Sequence, residues 1–122
     1  PYLKNLVLDT HFSQRNRQGR LMGFMANGFF KKNIVYNGIG VDEGTALCFG
    51  MNGVGKFFGN NYVYFLRPTH SPRLSADHSL SWDQLHVRKF SAKDVLDLKK
   101  WDNFNGEETW NSENFIIDSI WQ

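Results

Sequence analysis

The sequence predicts an α/β fold with a β-meander. Three observations carry that expectation. An apolar run, Leu6-Val7-Leu8, reads as a short buried strand. A helix-period stretch follows it, with Leu21, Phe24 and Met25 as the apolar stripe. From Thr45 to Leu66, short apolar runs alternate with Gly/Asn turns, which suits a meander of short strands.

In order along the chain, residues 6–9 form the first predicted strand. A helix is predicted over residues 13–27, stopped by Asn27-Gly28. A second strand is expected over residues 39–42 and a third over 45–49, where β-branched and apolar residues dominate. Gly50-Met51-Asn52-Gly53 and Gly59-Asn60-Asn61 supply turns around Lys56-Phe57-Phe58. Residues 62–66 and 85–90 read as further strands, separated by a polar loop over 69–81. Ser91 is expected to cap a helix over residues 92–101, with Val95, Leu98 and Trp101 facing inward. The Asn/Glu-rich segment 102–122 contains Trp110, Phe115, Ile116, Ile117, Ile120 and Trp121, so it is expected to dock on the domain.

At 122 residues the chain is one domain or part of a larger one. Its formal charge of +2 gives no argument for a nucleic-acid partner or a membrane surface. No run approaches the ~18 apolar residues of a membrane span. The single cysteine, Cys48, excludes an internal disulfide framework and is expected to be a small buried hydrophobe. Compartment stays open.

The densest chemistry lies in Asp9-Thr10-His11-Phe12-Ser13-Gln14-Arg15-Asn16-Arg17-Gln18-Gly19-Arg20. It follows a strand, and in open α/β sheets ligands collect at the carboxyl ends of strands. Arg17, Leu21 and Phe24 share one stripe at 100° per residue, so Arg17 is expected to face inward beside Asp9 and His11. An inward Arg demands an anionic partner, either a fixed carboxylate or a substrate carboxylate. A structural Asp9–Arg network satisfies the same pattern, and the two readings stand level. A second cluster, Gly38-Ile39-Gly40-Val41-Asp42-Glu43-Gly44-Thr45-Ala46, encloses paired acids with glycines. One carboxylate there could orient His11 through Nδ1, in the manner of a triad's third member. An ordinary acidic turn before a strand is the simpler account of that cluster taken alone.

Other patterns carry less. Gly50–Lys56 has the G-x-x-x-x-G-K spacing of a phosphate-binding loop, but Phe57 stands where Ser or Thr must ligate magnesium. His70, His78 and His86 lack the tight spacing of a zinc site, so no metal and no cofactor are expected. The aromatic residues are read as core.

Together the two clusters resemble segments of the cyanophycinases, serine peptidases related to aspartyl dipeptidases. Residues 9–21 are similar to that family's D-Q-H-F-x-x-R-x-R-x-G-R-L segment. Residues 38–47 are similar to its G-I-G-I-D-E-x-T-A-L segment. Ser79-Leu80-Ser81 followed by Leu85-His86-Val87 is similar, more loosely, to its closing strand. The resemblance implies a flavodoxin-like or class I amidotransferase-like three-layer sandwich, with residues 1–101 forming the C-terminal part of the peptidase domain and 102–122 an extension. It also implies a Ser–His–Glu triad in which His11 is the base and Glu43 the acidic member. Asp9, Thr10, Arg15, Arg17 and Arg20 fall on the substrate pocket, which implies an acidic or β-aspartyl peptide as substrate. Thr10 replaces the family's Gln.

The nucleophile is expected outside these residues. In the family it sits upstream, in a Gly/Ser-rich elbow akin to G-x-S-x-G, and neither Ser13 nor Ser71, Ser75, Ser79 or Ser81 has such flanks. The chain is therefore expected to be inactive alone and to need an N-terminal portion carrying the serine. An unpaired edge on its first strand would favour association, including a homodimer. The alternative from another class is a non-catalytic module that binds acidic peptides or glycans through the Arg cluster.

Overall fold

The computed structural model describes residues 5–13, 17–74, 80–82, 84–97 and 108–110. Strand β1 (Leu6–Thr10) is followed by helix α1 (Gln18–Lys32) and strand β2 (Asn37–Val41), which pairs parallel to β1. A hairpin comes next, β3 (Thr45–Phe49) and β4 (Val54–Gly59). Strand β5 (Val63–Pro68) returns beside β2, antiparallel to it. A small ribbon, β6 (Arg73–Leu74) with β7 (Leu80–Ser81), leads to β8 (Leu85–Phe90), which lies antiparallel to β5. Strand β9 (Val95–Asp97) joins β4, and β10 (Glu108–Trp110) joins β8.

The result is a five-stranded mixed sheet, β1-β2-β5-β8-β10, and a three-stranded antiparallel sheet, β3-β4-β9. Helix α1 covers one face of the mixed sheet through Leu21, Met22, Met25 and Ala26. These pack with Phe12, Tyr64, Leu66, Trp82, Leu85 and Val87. The opposite face carries Ile39, Val63, Phe65 and Phe90, and it is covered by Phe57 and Leu96 of the second sheet. Phe57 stacks on Phe90 at 4.9 Å, and Phe65 meets the same ring edge-on at 5.0 Å. Such aromatic pairs add to the burial of their area.

The three-layer α/β sandwich expected from the resemblance is therefore corrected. Among the described residues there is one helix, and the layer opposite it is a β-sheet. The meander is corrected with it. Residues 45–66 do not form one sheet, because β3 and β4 pair with each other while β5 crosses to β2. The physical reason is that β4 is amphipathic: Phe57 points into the core while Lys56 and Phe58 are exposed. β5, in contrast, is buried along most of its length, as a central strand with both faces covered must be.

Local corrections follow the same logic. Helix α1 begins five residues later than expected because the chain after β1 is held as a loop. The Phe12 amide donates to the Val41 carbonyl, and the Ser13 amide to Asp42 Oδ1. Asn27-Gly28 does not stop the helix. A Cβ at Gly28 would stand 2.6 Å from the Tyr36 ring, so this glycine admits an aromatic neighbour. The helix ends instead at Asn33, which is left-handed (φ 54°) and whose amide donates to the Phe29 carbonyl. The helix expected after Ser91 is a turn into β9, since Asp94 Oδ2 accepts from the Ser91 amide at 2.8 Å. Val95 is exposed and Leu96 faces inward; Leu98 and Trp101 lie outside the described residues. Cys48 is exposed, because the alternation of β3 turns Leu47 and Phe49 inward and Cys48 out. Of the segment after residue 101, only β10 is described.

Gly40 on β2 shows how closely the layers approach. A Cβ there would lie 2.4 Å from the ring of Phe12, which is fully buried and packed on Tyr64. Gly40→Ala is expected to cost about 2 kcal/mol by overpacking, read as a lowered urea midpoint at unchanged slope.

Candidate functional site

The site is built at the ends of β1 and β2. Both strands run the same way and stop side by side, so the residues that follow them meet on one edge of the sheet. Asp9, the penultimate residue of β1, points to the helix side and is 3% exposed. It accepts a fork from Arg20, with Nε at 3.0 Å from Oδ2 and Nη2 at 2.7 Å from Oδ1. Two parallel charge-assisted bonds of this kind fix both groups. Arg17 Nη1 lies 3.5 Å from Asp9 Oδ1 and donates to the Thr10 carbonyl at 2.9 Å. The Asp9 carboxylate thus compensates the arginines at the helix N-terminus, where cations are otherwise unfavourable.

His11 is left-handed (φ 49°), a conformation His adopts more readily than most residues. Its ring lies outside the core, 40% exposed, with Nδ1 3.7 Å from Glu43 Oε2. Glu43 stands two residues beyond β2 and its side chain is exposed. The separation exceeds a hydrogen bond but is within ion-pair range. The neighbouring acid does different work. Asp42, 4% exposed, accepts the Ser13 amide on Oδ1 at 2.9 Å and the Tyr62 amide on Oδ2 at 3.2 Å. It ties the loop bearing His11 to the turn before β5. Ser13 Oγ donates to Tyr64 Oη at 3.1 Å, a second tie between the same elements.

The structure therefore brings together Asp9, Arg17 and Arg20 as one network, and His11 with Glu43 as a second group two residues along. Thr10 enters through its backbone: its amide donates to Asp9 Oδ1 and its carbonyl accepts from Arg17. Arg15 lies outside the described residues. Arg17 sits at the N-cap, outside the helical stripe of Leu21, Met22, Met25 and Ala26, yet faces inward as expected, its side chain 16% exposed beside Asp9. Phe24 is partly exposed, with the Arg20 guanidinium 5.4 Å from its ring centre. The Gly50–Lys56 stretch is a turn that leads into β4, a strand. Among the described residues, no three His, Cys, Asp or Glu side chains gather into a metal-holding cluster.

The resemblance assigns Glu43 and gives Asp42 no role, and no motif marks Tyr62, Tyr64 or Lys89, which stand on the same side of the sheet. The available signal was strand alternation: residues 62 and 64 share a face, and Lys89 lies opposite Tyr64 in β8.

Neither a scan against protein-family models nor a search of curated proteins matched the chain. No helix among the described residues is long and apolar enough to cross a membrane.

Proposed function

We propose that this chain carries the base-and-acid half of a serine-peptidase centre acting on acidic, β-aspartyl-type peptides. The nucleophilic serine comes from a segment outside these residues. The supporting observation is the His11–Glu43 pair, set at the ends of adjacent parallel strands with Nδ1 of the imidazole facing the carboxylate at 3.7 Å. A carboxylate at Nδ1 holds the proton there and leaves Nε2 as the base. The serine hydroxyl attacks the scissile carbonyl while its proton passes to Nε2. The resulting imidazolium then returns that proton to the departing amine. This reading needs two parallel strands that end together, which the mixed sheet supplies, and does not depend on a second helical layer.

The arginines take a modified role. Asp9 already engages both Arg17 and Arg20, so the network holds one excess positive charge rather than two free guanidiniums. It attracts an acidic substrate as a fixed unit.

The test is labelling of the complete protein with a fluorophosphonate. Labelling is expected, and His11→Ala is expected to slow it about 100-fold or more. Glu43→Gln is expected to slow it less, since that carboxylate is exposed. A folded complete protein that takes no label overturns the peptidase reading and leaves the binding module in its place.

A further inference from the structure

A single cross-strand row runs over the helix side of the mixed sheet: Asp9 pairs in register with Gly40, Gly40 with Tyr64, and Tyr64 with Lys89. Its first member holds the arginines. Its last is a lysine of different standing. Lys89 Nζ lies 4.8 Å from the centre of the Tyr62 ring and 5.8 Å from that of Tyr64. No carboxylate of the described residues pairs with it, whereas both arginines share Asp9. The two tyrosines are themselves in edge contact at 6.4 Å. Rings of this kind hold an ammonium in place without neutralising its charge. Tyr64 is tied through its hydroxyl to Ser13, two residues from His11, and the Tyr62 amide is held by Asp42. The lysine's supports are thus the same groups that anchor the His11 loop.

We propose that Lys89, backed by Tyr62 and Tyr64, is an anion subsite that takes a carboxylate of the acidic peptide about four residues from the bond presented to His11. The inference rests on the peptidase reading for the place of that bond. The span comes from the sheet itself. Strands lie about 4.8 Å apart, so β1 and β8, three steps apart, are separated by roughly 14 Å. An extended peptide advances about 3.3–3.6 Å per residue, which makes that distance about four residues. On that strand spacing a dipeptide held at His11 is expected to fall short of the lysine and a longer acidic chain to reach it. The ammonium is a compact point charge on a flexible stem, suited to accepting a carboxylate without demanding one orientation.

The experiment is a binding series of oligo-aspartates, two to six residues long, against the complete protein carrying His11→Ala to prevent turnover. Binding is followed by calorimetry and by the NMR signal of the Lys89 ammonium. Affinity is expected to rise about tenfold between two and four residues, with the ammonium signal shifting only for the longer peptides. Lys89→Gln is expected to abolish the gain and Lys89→Arg to keep most of it. A length gain that survives Lys89→Gln overturns the subsite, as does the absence of any gain. Fluorophosphonate labelling reads the peptidase centre separately, so a labelled protein without the length effect loses only the subsite. An unlabelled protein that shows the effect keeps the subsite and loses the catalytic reading.

Discussion

Asp9→Ala is expected to destabilise the protein by about 3 kcal/mol, measured as the loss of unfolding free energy in a denaturant titration. Asp9 is almost wholly buried, and it is the carboxylate that both Arg17 and Arg20 share. Removing it strands two guanidiniums beside each other at the positive end of α1. Breaking a buried pair costs more than the pair contributes, because the remaining charge stays desolvated. Arg20 is about one third exposed, so part of its charge can rehydrate, which holds the loss to the lower end of that range. Arg20→Ala is expected to cost less, since Arg17 still lies beside the carboxylate and water can reach the vacated space. Equal losses from the two variants would show that Asp9 owes its burial to something other than its arginines.

Asp42→Ala should cost about 2 kcal/mol and, unlike Asp9→Ala, should loosen the His11 loop directly. Each carboxylate oxygen accepts a different backbone amide, Ser13 on one and Tyr62 on the other. Truncation leaves two partly buried donors unpaired, at about 1 kcal/mol or more apiece. Asp42→Asn keeps one acceptor and turns an amide NH2 toward the other donor, so it should recover less than half of the loss. Hydrogen exchange at the Ser13 and Tyr62 amides checks the account: both should accelerate in Asp42→Ala. Unchanged exchange would mean that the loop is anchored elsewhere. The same variant should slow fluorophosphonate labelling, because His11 is then no longer held opposite Glu43.

Several individual strands can be read from the residues, but not the way they are arranged into two packed sheets. The apolar run at Leu6–Leu8 marks β1, the strand expected over residues 39–42 overlaps β2, which starts two residues earlier at Asn37, and residues 45–49 and 85–90 match β3 and β8 at both ends. Local pattern failed where tertiary contacts decided. Asn27-Gly28 carries a stop signal, yet the helix passes through it because Tyr36 packs there. Residues 92–101 carry helical spacing, yet β9 forms because β4 offers Val54–Lys56 as a pairing edge. The exposure of Cys48 follows from strand parity, which an apolar neighbourhood conceals. In the site, a structural Asp9–Arg network is one of two readings that the residue pattern leaves level, and the structure contains the pairing of Asp9 with Arg17 and Arg20. The division of labour between Asp42 and Glu43 was not, because adjacent residues in sequence diverge by which side chain the Tyr62 turn can reach.

The cross-strand row from Asp9 to Lys89 also has a consequence for synthesis. Chains emerge N-terminus first, so β1, α1 and β2 are made well before β5 and β8. Until then β2 has a parallel neighbour on one side and an open edge on the other. Glycines at positions 38 and 40 give that strand little side chain of its own on the helix side. The hairpin of β3 and β4 is local and can close at once, but it cannot dock before Phe65 and Phe90 complete the surface it covers. Non-local pairing of this kind is slow. The nascent chain therefore passes through a window, from Val41 to Phe90 in translation, in which half of the site exists without the strands that hold it.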